Sequence, residues 1–188
     1  MNLAGRRVTL RQWRADDIEA FAAMNADAEV MEFFPQPLTL DESVVAFQKL
    51  RQSIDERGWG LWAVEIDHQL AGFTGLAQPN FEAHFTPCTE IGWRFRRKFR
   101  RQGYALEAAR VALRFAFEDL RLREVVSFTA RLNERSQRLM HQLGMRHSLP
   151  DDFEHPKLPV GHILRPHVLC RIQNGPALLE KLNQDLSA

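Results

Sequence analysis

The 188-residue chain has two cysteines, Cys88 and Cys170. Two are too few for a disulfide framework, and they stand too far apart for a zinc knuckle. No run of about 18 apolar residues occurs, so no spanning helix and no membrane partner is expected. The opening MNLAGRRVTLRQWR lacks the apolar stretch of a secretion signal, and a reducing cytoplasm is the simplest compartment. Internal repeats, linkers and low-complexity tracts are missing, and no His/Asp/Glu spacing suggests a metal. Excess charge is missing too. The net charge of +1 excludes a generally basic nucleic-acid binder.

What is present is enough for a core. Apolar residues make up 45% and charged residues 26%, which excludes disorder as the main state. At roughly 150 residues per domain, residues 1–188 are expected to form one domain. Of the 25 basic residues 21 are arginine. Six basic residues fall within the eight positions from Arg94 to Arg101, which leaves the rest of the chain at −5. A local anion site on a neutral body fits a phosphorylated small molecule better than a long polyanion.

Periodicity predicts a strand over Val8–Arg11, then a helix opened by an Asp16–Glu19 capping box, with Ile18, Phe21 and Ala22 on one face. A Thr39–Glu42 box opens a second helix to about Arg57, with Val44, Phe47, Leu50 and Ile54 at helical spacing. Strands follow over Leu61–Ile66, Leu70–Leu76 and Thr89–Phe95. The first two are joined by a turn at Asp67–Gln69, and a loop from Gln78 to Pro87 precedes the third. Gly72 and Gly75 suggest a close backbone approach. An apolar helix runs from Gly103 to about Leu120, a strand from Glu124 to Ala130, and a short helix from Glu134 to Leu143, stopped by Gly144. Pro150–Pro166 reads as irregular. A last strand covers His167–Ile172, and Pro176 starts a terminal helix. The order is that of a mixed α/β sheet domain.

The sharpest local pattern is Arg100-Arg101-Gln102-Gly103-Tyr104-Ala105, between a strand and a long helix. A strand–glycine loop–helix unit aims backbone N–H groups and the positive end of a helix dipole at one spot. Gly103 lets an anion approach without a Cβ in the way. No Gly-Lys-Ser/Thr follows, so it is not a Walker A loop, and the three-glycine dinucleotide spacing is missing. By itself the loop is equally a solvated basic turn before a core helix.

The pattern Arg/Gln-x-x-Gly-x-Gly/Ala after a strand resembles the pyrophosphate-binding motif of the GNAT acyltransferase superfamily. The segments EIGWRF, RRQGYALEAARVALRFAFEDL and EVVSFTARLNERSQRLMHQLGM are similar to its RimJ/RimL-like branch of ribosomal-protein alanine acetyltransferases. Asn133, Ser136 and Leu143-Gly144-Met145 match the second signature of that branch. The resemblance covers about Val8 to Ile172. It implies the GNAT fold, a mixed central sheet of about six to seven strands flanked by helices and splayed between the fourth and fifth.

The resemblance further implies direct transfer of an acetyl group from acetyl-CoA, as co-substrate, to a primary amine acceptor, either a protein N-terminus or a small amine. No metal and no nucleic acid are implied, and a homodimer is compatible with it. Arg100, Arg101, Gln102, Gly103, Tyr104 and Ala105 would then hold the pyrophosphate. The backbone of Trp93, Arg94 and Phe95, with the Asn133 amide, would hold the pantetheine arm. Leu106 stands where that branch often has a phosphate-contacting Thr. Met140 stands where many relatives place the Tyr that protonates the leaving thiolate.

Strand alternation puts Glu90, Gly92 and Arg94 on one face and Ile91, Trp93 and Phe95 on the other. Glu90 is therefore either a base for the amine, through water, or a structural carboxylate paired with an arginine such as Arg94. Ser136 is the candidate donor to the leaving sulfur, or else an ordinary polar residue early in its helix. Asn133 can cap that helix as well as bind. The acidic loop Asp151, Asp152, Glu154 and His155 either attracts a cationic substrate or is solvated. Trp59, Trp62 and Trp93 fit a core better than a pocket wall. His141 and His147 read as surface residues, and neither cysteine has a role. Two other functions remain: a non-catalytic CoA-binding module, and nucleic-acid binding through Arg94–Arg101, with Phe95 and Phe99 as stacking platforms.

Overall fold

A computed structural model describes residues 2–187. In chain order the elements are β1 (Leu3–Ala4), β2 (Thr9–Arg11), α1 (Ile18–Ala26), α2 (Leu40–Arg57), β3 (Leu61–Ile66), β4 (Gln69–Ala77) and β5 (Glu90–Phe95). They continue with α3 (Tyr104–Glu118), β6 (Glu124–Ala130), α4 (Glu134–Gln142), β7 (Arg146–His147), β8 (Phe153–Glu154), β9 (Pro166–Gln173) and α5 (Pro176–Ser187). One sheet holds nine strands among the described residues, ordered β1-β2-β3-β4-β5-β6-β9-β7, with β8 also on β9. The strands beyond the expected six to seven are the two-residue β1, β7 and β8, which are too short to show any period of their own. Neighbours are antiparallel, except that β5 and β6 run parallel.

Most helix boundaries follow local chemistry. Thr39 Oγ1 accepts from the Glu42 N–H and Glu42 accepts from the Thr39 N–H, the reciprocal cap expected for α2. The box expected at Asp16–Glu19 does not form. Instead a 3-10 turn at Ala15–Asp17 precedes α1, and Asp17 accepts from the Arg14 N–H at 2.8 Å. Asp17 is drawn there by Arg11, whose guanidinium donates two bonds to it at 2.7 and 2.9 Å and a third to Glu65 at 2.6 Å. A 4%-exposed guanidinium must be paired, and that demand overrides the local capping pattern.

Two apolar layers sandwich the sheet. Phe73 of β4 faces α1 and α2, where Trp13, Phe21 and Phe47 pack edge to face, with centroids 5.1 and 5.4 Å from Trp13. The next ladder position turns the other way, and Trp62 meets Phe115 of α3 at 5.3 Å. Gly72 and Gly75 permit the close approach expected of them. A Cβ at either would stand 2.1 Å from a carbonyl oxygen, that of Arg94 or of Gly60.

Removing one partner of the buried Arg11 network should be costly. Asp17→Ala is expected to destabilise the protein by about 3–5 kcal/mol in urea denaturation, since it takes the acceptor from two buried guanidinium donors and from the Arg14 N–H. A loss below about 1 kcal/mol, the range of exposed pairs, would mean that the network carries little of the fold.

Candidate active site

The parallel pair β5–β6 joins at one register point, Glu90 opposite Val126. The Val126 N–H donates to the Thr89 carbonyl and the Ser127 hydroxyl to the Ile91 carbonyl, both at 2.9 Å. Past Ile91 the strands part. The Arg96 N–H donates to the Ala71 carbonyl at 2.9 Å, which sets the ladder's phase. Gly92 and Arg94 therefore turn their peptide groups to β4, whereas Trp93 and Phe95 turn theirs into the gap. The Phe95 carbonyl is taken by Arg100 Nε at 3.0 Å, leaving the Trp93 peptide facing the gap. Of the three backbones expected to line this gap, that of Arg94 is turned away.

On the α1–α2 face, β5 presents Glu90, Gly92 and Arg94. Gly92 leaves the space between the two charged residues open. A Cβ there would meet only Glu90 Oε1 and Leu61, both at 3.9 Å. Glu90 and Arg94 do not pair with each other, nor with any opposite charge among the described residues. This overturns the structural ion pair considered for Glu90. Burial pushes the Glu90 carboxyl up to about 8 and pulls the Arg94 guanidinium down to about 10. Cys88 is close enough to feel Glu90. Its thiol is raised to about 11, by burial first and then by that carboxylate. Arg94 lies over the Phe34 ring at 4.1 Å and donates from Nη1 to Asn25 Oδ1 at 2.6 Å.

On the other face the Trp93 indole reaches α4. Ser136 Oγ accepts from Trp93 Nε1 at 3.3 Å and from Asn133 Nδ2 at 3.0 Å. With both acceptor sites occupied, the Ser136 hydroxyl proton is free to be donated. Asn133 also caps α4, its Oδ1 accepting from the Ser136 N–H at 3.2 Å. Met140 is 1% exposed in the main core, so α4 offers no other proton donor at that position.

The loop before α3 leads from the 3-10 turn at Arg97–Phe99 to the helix. Arg101 and Gly103 are both left-handed, with φ of 60° and 83°. From Arg101 to Leu106 no backbone N–H finds an acceptor within the described protein. Successive N–H groups in such alternating conformations form a concave anion nest. Arg7 braces it, donating to the Gln102 carbonyl at 3.1 Å and to Glu107 at 2.8 Å while lying over the Tyr104 ring.

Much of the basic run serves other ends. Arg97 pairs with Asp27 and Glu29, Arg96 donates to the Leu70 carbonyl, and Lys98 donates to Gln69. Arg101 stays exposed at the nest, while Arg100 is half-buried beside it, its Nη1 3.5 Å from Glu29. Phe95 is buried and Phe99 packs beside Tyr104, so neither offers a stacking platform. The acidic loop is neutralised as well. Asp151 pairs with Arg171, Asp152 with Arg131 and Glu154 with Arg165. Trp62 is core and Trp59 lies under Arg57.

Sequence reasoning missed two features. Asn25 and Phe34, from α1 and the loop after it, reach the site only through tertiary packing. Phe81, Phe85, Phe128 and Phe153 form an aromatic cluster on the same face as Glu90, beyond Val126. The phenylalanines at positions 81 and 85 were the one available signal. Among the described residues no group of three or more His, Cys, Asp or Glu could hold a metal ion, and no helix is long and apolar enough to cross a membrane.

A family model described as an acetyltransferase (GNAT) domain matches residues 7–146. The FsC-acetyl coenzyme A-N(2)-transacetylase of Aspergillus fumigatus is 34% identical over 131 residues, 66% of this chain and 56% of that protein. The chain thus spans little more than half the length of that relative. A Bacillus subtilis protein named Uncharacterized N-acetyltransferase YnaD is 25% identical over 147 residues, 78% of this chain and 83% of the relative. The crystal structure of the acetyltransferase (GNAT family) from Bacillus anthracis matches with a TM-score of 0.76 at 25% identity, covering 92% of this chain and 98% of that one.

Glu90 makes stability depend on pH. Its carboxyl is raised from 4.5 to about 8, so the folded state holds a proton that the unfolded chain has released. The stability it contributes is complete below pH 4.5 and is lost as pH rises to about 8. Glu90→Gln should therefore melt close to wild type at pH 4.5, and a few degrees above it at pH 9. Parallel melting curves across that range would show that the carboxyl is solvated.

Proposed function

The chain belongs to the GNAT acetyltransferase family, and from that premise we propose that it moves the acetyl group of acetyl-CoA directly onto a primary amine. One observation carries this reading. The raised Glu90 carboxyl, the unpaired Trp93 peptide and the donor-poised Ser136 hydroxyl stand around the place where β5 parts from β6. The N–H nest from Arg101 to Leu106, with Arg100, Arg101, Gln102, Gly103, Tyr104 and Ala105, holds the pyrophosphate of the donor. The Trp93 peptide and the remaining lone pair of Asn133 Oδ1, whose amide hydrogens go to Thr129 and Ser136, hold its arm in the gap.

Each group then has one task. Glu90, through water, takes a proton from the acceptor amine, and the amine nitrogen forms its bond to the acetyl carbon. The Trp93 N–H polarises the thioester carbonyl as its oxygen gains negative charge. As the C–S bond breaks, Ser136 gives its proton to the sulfur and regains one from water. Glu90 suits its task because burial raises its basicity into the working range, without a nearby cation to hold the proton off. Ser136 suits its task because Trp93 and Asn133 fill its lone pairs. Asn133, Ser136 and the Leu143-Gly144-Met145 turn favour the RimJ/RimL-like branch.

Acetyl-CoA at about 100 times its dissociation constant should stabilise the protein by roughly 2.7 kcal/mol. Gly103→Val should erase that gain while the apo domain still folds, because valine resists the left-handed conformation and fills the nest. An unchanged melting temperature for wild type with millimolar acetyl-CoA would refute the donor.

Glu90→Gln should lower kcat by roughly 10²–10⁴ with donor affinity retained. Wild-type kcat/KM should climb with pH to a plateau above about 8. Ser136→Ala should slow transfer from CoA more than transfer from a thiol that leaves readily as an anion. Equal slowing for all donors would make Ser136 a packing residue.

A further inference from the structure

The acceptor side of the cleft contains a cation with no counter-charge. Arg94 makes one hydrogen bond, from Nη1 to Asn25 Oδ1. Its Nε is buried without a partner, and among the described residues no carboxylate stands within pairing distance. The arginine is built in rather than adventitious. Asn25, itself fully buried, is hydrogen-bonded at 3.4 Å to the buried Ser43 of α2, and Phe34 and Phe73 flank the guanidinium at 4.1 and 5.3 Å. The acidic residues of the loop after α1 cannot compensate it. Asp27 and Glu29 are held by Arg97, Glu29 also faces Arg100, and Glu32 is held by Arg135. A neutral amide and two aromatic faces stabilise a guanidinium without cancelling its charge. An unpaired charge so placed costs free energy that a bound anion would recover.

We infer that the acceptor is a small zwitterionic amine of the amino-acid type, whose carboxylate pairs with Arg94 while its amine lies over Gly92 toward Glu90. The inference rests on the acetyl-transfer reading above and narrows its acceptor. Gly92 stands two strand residues, roughly 7 Å, from Arg94 on the same face. That span fits an amine and a carboxylate separated by a few bonds. The same charge disfavours polyamines, which would bring only positive charge toward Arg94. It disfavours protein N-termini too, where the first carboxyl is consumed in a peptide bond.

The test is calorimetric binding, in the presence of CoA, of the twenty common amino acids against their carboxamides, with free-thiol release from acetyl-CoA measured alongside. At least one amino acid should bind roughly 10- to 100-fold more tightly than its amide, the range of a charge-assisted hydrogen-bond pair. Arg94→Gln should erase that preference by weakening the acid alone, and Arg94→Lys should restore part of it. A merely structural arginine would weaken acid and amide alike. Equal binding of acids and amides, binding of neither, or turnover of N-terminal peptides undiminished in Arg94→Gln would overturn the inference. Selective binding of an amino acid without thiol release would instead leave the Arg94 site standing and sink the transfer reading.

Discussion

The parting of β5 from β6 is the constraint on which the rest depends. A parallel ladder continued to Phe95 would consume the Trp93 peptide and close the gap. The ladder stops because its neighbours draw the two strands to different partners. Trp93 is drawn to α4 through Ser136, and the Phe95 carbonyl is capped by Arg100. Beyond Val126, β6 stays fully paired with β9, down to Ala130 opposite His167. One strand therefore keeps its ladder on both sides for only part of its length. The unpaired remainder is an interior edge, where backbone donors are available without exposing the sheet to another chain.

Two kinds of buried charge sit in this fold and do opposite things. Arg11 is paired with both Asp17 and Glu65, through three short bonds that tie β2 to the entry of α1 and to β3. Its work is structural, and its charge is invisible from outside. Glu90 and Arg94 share a strand face without pairing: Gly92 stands between them, and Arg94 is held by Asn25 and Phe34. Desolvation then moves both toward neutrality, the carboxyl upward and the guanidinium downward. Groups left in that condition are the ones chemistry can use.

The basic segment from Arg94 to Arg101 shows how a charge run divides when it folds. A turn of strand, a 3-10 turn and a loop send successive side chains to different places. Arg94 goes inward beneath Phe34, Arg96 and Lys98 brace β4, Arg97 fastens the loop after α1, and Arg100 and Arg101 flank the nest. The free donors there are mainly backbone N–H groups, which carry no formal charge and leave no trace in composition.

By itself the sequence determined what short-range chemistry controls. The Thr39–Glu42 cap, the stop at Gly144, the alternation of β5 and the glycine at the head of α3 each depend on neighbours within a few residues. The Gly103 loop and the Asn133–Ser136 pair were legible because their spacing is local. Tertiary structure alone decided which charges were cancelled. Whether Glu90 would meet Arg94 could not follow from alternation, which puts them on one face without fixing the reach of either. It was settled by Asn25 on α1 and Phe34 beyond it, about 60 to 70 positions away in the chain. The cap expected at Asp16 gave way to a turn built by Asp17 on Arg11 for the same reason. A buried charge takes the partner nearest in space, and only folding makes that distance.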